Sequence, residues 1–157
     1  MNICGDEHVS PWIVKIIQES CLSNQHTLFT VDDFRARGVD DQIWVRTFSG
    51  RGGNAIIGAD AAMTRRPHEV VAICEAGVRL ILLPPQWANA KRHLQASHLL
   101  YWWPHIEVSL EDAASERCLR VPWGWPETAG AAALKPVRLD LQDAYRKIER
   151  AAKRAAH

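Results

Sequence analysis

Four short apolar runs alternate with segments of helical spacing, and that alternation restricts what this chain can fold into more than any other feature. Asn2 to Gly5, Thr27 to Val31, Ala55 to Gly58 and Val78 to Leu83 read as strands, the second rich in β-branched and aromatic residues. After the first, Ser10-Pro11 suits a helix start, with a hydroxyl at the cap and proline at the first helical position. Trp12, Ile13, Ile16 and Ile17 then recur at helical spacing and are expected to face the sheet. After the second run, Asp32 to Val39 reads as a loop. Asp40 and Asp41 can cap a helix whose apolar face is Ile43, Trp44 and Phe48, and Gly50 to Asn54 breaks it. After the third, Pro67 opens a helix carrying Val70, Val71, Ile73 and Cys74, which Gly77 closes. The pattern predicts an α/β fold with a mainly parallel sheet flanked by helices.

Beyond the fourth run, Pro84-Pro85 is expected to stop the strand, and a helix is expected from about Asn89 to Trp103, ending before Pro104. Leu119 to Trp125 reads as an edge strand, and Leu139 to His157 as a last helix. Ala129 to Ala133 is a small low-complexity stretch. At 157 residues the chain is long enough for one α/β domain with a core and short for two. Residues 1–125 form the expected domain and 126–157 a helical C-terminal extension. A composition of 47% hydrophobic and 24% charged residues argues against disorder. The net charge of +1 gives no global pull toward nucleic acid, so any basic surface must be local.

Cys4, Cys21, Cys74 and Cys118 form no C-x-x-C pair and fit no compact zinc module; Cys4 and Cys74 sit inside apolar patterns, which favours small buried hydrophobes in a reducing compartment. The longest apolar run, Leu80 to Pro85, is far too short to span a bilayer, and acidic residues arrive too early for a secretory leader. The expectation is a cytoplasmic protein without a membrane partner.

In an open parallel sheet, ligands bind beyond the carboxyl ends of the strands, where strand order reverses. Asp6 and Glu7 end the first strand, Asp60 follows the third, and Asp40 and Asp41 start the helix between the second and third. These acidic groups would converge on one edge of the sheet. Gathered carboxylates repel one another unless a cation neutralises them, and an all-oxygen set suits Mg2+ or Mn2+ rather than zinc. Each also has a plainer reading, as helix cap for Asp40 or Asp41 and as turn residue for Asp60.

Several stretches resemble one known family in order along the chain. Gly5-Asp6-Glu7-His8-Val9-Ser10-Pro11 resembles the opening segment of PIN-like domains related to VapC-type toxins. Asp41-Gln42-Ile43-Trp44-Val45, Ile56-Ile57-Gly58-Ala59-Asp60 and Thr64-Arg65-Arg66-Pro67-His68-Glu69 are similar to that family's next three segments. Ala76-Gly77-Val78 to Trp87, Tyr101-Trp102-Trp103-Pro104 and Val121-Pro122-Trp123 resemble its later ones. The resemblance implies a PIN-like fold and Mg2+- or Mn2+-dependent cleavage of RNA, usually as the toxin of a type II toxin–antitoxin pair. It implies a cognate antitoxin as partner, with homodimers common. It carries the family's acidic positions to Asp6, Asp41 and Asp60, with Glu7 and Asp40 in support. Ala61-Ala62 depart from it, standing where relatives often carry Arg-Arg or another acid.

Arg65 and Arg66, just before the helix at Pro67, can hold RNA phosphates beside its N-terminal N–H groups, and His68 can assist proton transfer. Their plainer reading is a solvated turn with a surface histidine. Arg146, Lys147, Arg150, Lys153 and Arg154 form a basic tail that either solvates a helix face or adds RNA affinity. Trp123 and Trp125, two apart on the expected strand, share one face and are candidates for a partner surface. A phosphorelay receiver is disfavoured, because no Ser or Thr follows the fourth strand. A haloacid-type phosphatase is disfavoured, because Asp6 is followed by Glu7 and His8. The alternative to a nuclease is a catalytically inactive PIN-like module that binds RNA or protein.

Overall fold

The computed structural model describes residues 1–34, 38–113, 115–125 and 134–157. Six strands form one sheet in the order β2-β1-β3-β4-β5-β6. They are β1 (Asn2–Gly5), β2 (Thr27–Thr30), β3 (Ala55–Gly58), β4 (Arg79–Leu82), β5 (Cys118–Arg120) and β6 (Lys135–Pro136). The first five pair in parallel, and β6 joins β5 antiparallel at the edge. Order reverses at β1, because the chain crosses back over it from β2 to β3. The switch point therefore lies between the carboxyl ends of β1 and β3.

Alternation along the strands divides the core. Ile3, Ile57, Ile81 and Leu119 point to one face, where α1 (Pro11–Ser20) and α5 (Arg92–Glu111) pack. Cys4, Ile56, Leu80, Leu82 and Cys118 point to the other, beneath α2 (Asp41–Gly50) and α3 (Pro67–Ala76). The last helix, α6 (Leu141–Ala155), lies outside α3 through Ala144, Leu141 and Ile148 against Val70 and Val71. The expected helix signals are used: Ser10 Oγ accepts from the Ile13 N–H, and Gly77 closes α3 at φ +71°.

Several expectations need correction. Pro85 does not merely stop β4 but begins a short helix, α4 (Pro85–Asn89), as its first residue. The long helix runs from Arg92 to Glu111 and passes through Pro104. An internal proline costs about 3 kcal/mol. Trp102, Trp103, Ile106 and Leu110 on either side of it are all fully buried, each worth roughly 1.5–3 kcal/mol or more, so burial outweighs the lost hydrogen bond. Leu119 to Trp125 is not an edge strand; β5 is three residues long and internal, and β6 takes the edge. Trp123 and Trp125 follow it as irregular chain, with Trp123 stacked on His98 at 4.9 Å and Trp125 edge-on to His98 at 5.5 Å.

Trp12 does not face the sheet: it is 41% exposed, with the Arg92 guanidinium 4.2 Å over its ring. Ile43 likewise turns outward. The loop expected over 32–39 begins as a 3-10 turn, Val31–Phe34, and its residues 35–37 lie outside the described residues, as does the Ala129–Ala133 stretch. Among the described residues, no helix is long and apolar enough to cross a membrane.

Candidate active site

β1 ends at Gly5 and hands Asp6 to the carboxyl edge, where its N–H donates to Ile57 O of β3 at 2.9 Å. The Asp6 side chain is buried, its charge met by two backbone donors: His8 N–H to Oδ1 at 2.9 Å and Ala59 N–H to Oδ2 at 3.1 Å. A Cβ on Gly58 would stand 2.7 Å from Asp6 Oδ2, so only bare backbone lets β3 run beside that carboxylate. The His8 ring lies 3.5 Å from the same oxygen, and that contact pushes its pKa up to about 9 against the opposing effect of burial.

Asp60 caps the 3-10 turn Ala61–Thr64, its Oδ1 accepting from the Ala62 N–H at 2.9 Å. Asp41 is the first residue of α2, and its Oδ1 accepts from the Trp44 indole N–H at 2.8 Å. In both carboxylates one oxygen is fixed locally and the other is turned into the site. Those free oxygens meet the Arg66 guanidinium, with Nη1 3.3 Å from Asp60 Oδ2 and 3.9 Å from Asp41 Oδ2. Glu69 Oε1 reaches the same nitrogen at 3.0 Å. The second oxygen, Glu69 Oε2, is buried and has no hydrogen-bond partner among the described residues.

The electrostatics follow from that crowding. Burial raises the Asp41 carboxyl above its ordinary range; the Trp44 N–H opposes this, and the charges of Asp6 and Asp60 raise it further. Burial also raises Glu69, opposed by Arg66 and reinforced by Asp41 and Asp60. Four carboxyl groups thus share one guanidinium and one imidazole. The donor set is all oxygen, it carries excess negative charge, and one buried oxygen lacks a partner. These residues fit a hard divalent cation such as Mg2+ or Mn2+.

The sequence-expected residues do not all fall in one place. Asp6, Asp41, Asp60 and Arg66 are brought together. Glu7, Asp40 and His68 are exposed and line an adjoining cleft of about 450 Å³ with Asp41, Arg66 and Glu69. Asp40 sits at the cap of α2 yet makes no capping bond with its side chain. Arg65 parts from Arg66 and lines a separate groove with Arg138, Asp143 and Lys147. Glu69, His8 and Gly58 were not singled out by sequence reasoning. Glu69 had a legible signal: it lies two residues after the opening proline of α3, where a first-turn side chain can fold back over the helix start.

A second group lies at the opposite edge of the sheet. His26, Glu107 and Glu111 place ligand atoms within 4.8 Å of one another and could hold a metal ion. Here the atoms already serve each other: His26 Nε2 stands 2.9 Å from Glu111 Oε1, and Glu107 Oε1 accepts from Trp103 Nε1–H at 2.7 Å and Ser23 N–H at 3.0 Å.

The fold is a doubly wound α/β sheet with carboxylates collected at its switch point, the position where open sheets of this kind bind ligands. A family model described as a PIN-like domain matches residues 1–85, and the chain belongs to that family. The matched stretch contains Asp6, Asp41, Asp60, Arg66 and Glu69. No curated protein and no solved structure matches the chain significantly.

Proposed function

We propose that this protein is a metal-dependent endoribonuclease, related to VapC-type toxins and acting as the toxin of a type II toxin–antitoxin pair. The observation that carries the reading is the convergence of Asp41, Asp60 and Glu69 on Arg66 Nη1 beside the buried Asp6, at the switch point of a PIN-like domain. Asp6, Asp41, Asp60 and Glu69 would hold Mg2+ or Mn2+, with Glu7 and Asp40 at the rim. When bound, the ion supplies Lewis acidity toward the scissile phosphate. Trp44 N–H and the Ala59, Ala62 and His8 amides fix the carboxylates' orientation in advance, so little reorganisation is needed on binding. Arg66 presents a planar fork suited to a phosphate, and His68 on the cleft wall is placed to exchange a proton with substrate or water.

The test is cleavage of a mixed RNA pool with Mn2+, Mg2+ or EDTA, comparing wild type with Asp60→Asn. Metal-dependent cutting that disappears in the variant supports the reading, and cutting indifferent to the substitution sinks it. Inhibition by a small protein encoded beside the gene would support the toxin role. A second reading, a module that binds RNA or protein without cutting, is favoured by the hold of Arg66 on three carboxylates, which supplies part of the charge a metal would. In that case RNA binding survives chelation and no cutting occurs with either ion.

A further inference from the structure

We propose that Arg65, Lys147 and the cationic face of α6 form a track that carries the backbone of single-stranded RNA away from the carboxylate cleft. This rests on the nuclease reading for its substrate and adds a binding surface that, apart from Arg65, lies outside the residues matched to the family.

The carboxylate cleft and a groove of about 250 Å³ adjoin at Pro67, which lines both. Arg66 stands on the cleft side, whereas Arg65, Arg138 and Lys147 line the groove, the last two paired there with Asp140 and Asp143. The groove then opens onto α6. At about 100° per residue, Arg146, Lys147, Arg150, Lys153 and Arg154 fall within an arc of roughly 120° on that helix. Ala144, Ile148 and Leu141 occupy the opposite side and face α3. The cations are therefore not scattered around a solvated helix but gathered into one stripe.

Two further features set the stripe apart from a balanced surface. Asp143 offsets Lys147 at 2.6 Å and Arg146 at 3.9 Å, and Glu149 offsets Lys153 at 3.2 Å. Arg65, Arg150 and Arg154 have no ion pair among the described residues. From Glu149 to His157 every residue is exposed, so the last turns of α6 extend beyond the body with nothing packed on them. A stripe from Arg146 to Arg154 is about 12 Å long, enough for three or so phosphates at the ~3.4 Å spacing of a stacked strand. A chain of net charge only +1 that gathers five cations on one exposed helix face, leading from a groove beside an acidic cleft, is organised for a linear polyanion whose one bond is taken into that cleft.

Binding of a fluorescein-labelled single-stranded RNA to the full chain, followed by anisotropy in EDTA across a range of KCl, tests this without any cleavage. Arg150→Gln/Arg154→Gln is expected to lower the slope of log K against log salt by about 1.4 and to weaken binding on the order of 20-fold at 0.1 M salt. A charge-matched control, Lys15→Gln/Arg51→Gln, should leave the slope nearly unchanged. An unaltered slope in the α6 variant, an equal change in the control, or no RNA binding by the wild type would overturn the track. So would loss of binding to a poly-glutamate peptide with RNA binding intact, since the stripe would then serve an acidic protein. If the wild type never cuts RNA but the α6 variant lowers the slope as expected, the track stands while the nuclease reading fails.

Discussion

Glu107 and Glu111, at the amino edge of the sheet, end their hydrogen-bonding in each other's neighbourhood: one accepts from an indole and an amide, the other pairs with a buried imidazole. At the carboxyl edge, Asp6, Asp41 and Asp60 are held as firmly by local donors, but Asp41, Asp60 and Glu69 crowd around one guanidinium, with a buried Glu69 oxygen left over. The first arrangement is what folding alone would select, because the imidazole and both carboxylates have found partners, although Ser23 Oγ beside them has none among the described residues. The second is costly unless something else completes it. Acidic groups drawn together therefore mean different things according to whether their partners are already present.

The sharpest way to break that contrast is Asp60→Asn. Asparagine keeps the cap on the Ala62 N–H and removes one charge from the crowded side, so the metal-free protein should be no less stable. RNA cleavage with Mn2+ should fall by about 10²–10³-fold, the scale seen when one preorganised group is lost. A clear drop in urea midpoint in EDTA would show that Asp60 is structural, placing both ends of the sheet in the same category.

Glu107→Ala reverses the pattern. It strands the indole N–H of Trp103, which is fully buried, and the Ser23 amide, and should cost about 1–3 kcal/mol. Urea unfolding measures the loss, while cleavage per folded molecule should be unchanged. A catalytic defect in a fully folded Glu107→Ala protein would count against assigning function to the carboxyl edge alone.

The sequence carried the sheet, its parallel sense and three of the four carboxylates, because strand-end position and helix start are local facts: Asp6 follows an apolar run, Asp60 follows another, and Asp41 opens α2. It did not carry Glu69 or the grip of Arg66, since those depend on how α2, α3 and the turn at Asp60 meet in space. Pro104 misled for the same reason. Its local rule is sound, but the buried Trp102, Trp103, Ile106 and Leu110 override it, and their burial is a property of the packed face of α5. Trp12 shows the reverse: an apolar residue at plausible spacing that packing left on the surface.

Arg66→Gln sharpens the comparison more gently. Arg66 is largely exposed, and each exposed ion pair is worth about 0.2–1 kcal/mol, so the metal-free protein should lose a small amount of thermal stability. Its affinity for Mn2+, read by calorimetry without RNA, should rise, because a competing positive charge has been removed. Weaker Mn2+ binding would mean that Arg66 arranges the carboxylates rather than neutralising them.

The smallest effect concerns acid and belongs to neither edge of the sheet. His98 is fully buried beneath Trp123, with Nε2 2.8 Å from Pro122 O and Nδ1 without a partner among the described residues. Burial holds its pKa below the ordinary value, with the Pro122 contact opposing. In the unfolded chain the ring takes up its proton near pH ~6.5, whereas in the folded chain it waits for a lower pH. Below that point the unfolded state binds more protons. The ring's contribution to stability is therefore full above about pH 6.5 and is lost as pH falls through the folded value. His98→Gln keeps an N–H near the position of Nε2 and cannot titrate, so its urea midpoint should decline less between pH 7 and pH 5 than that of the wild type. An equal decline in both would move the acid sensitivity back to the carboxylates at one edge of the sheet.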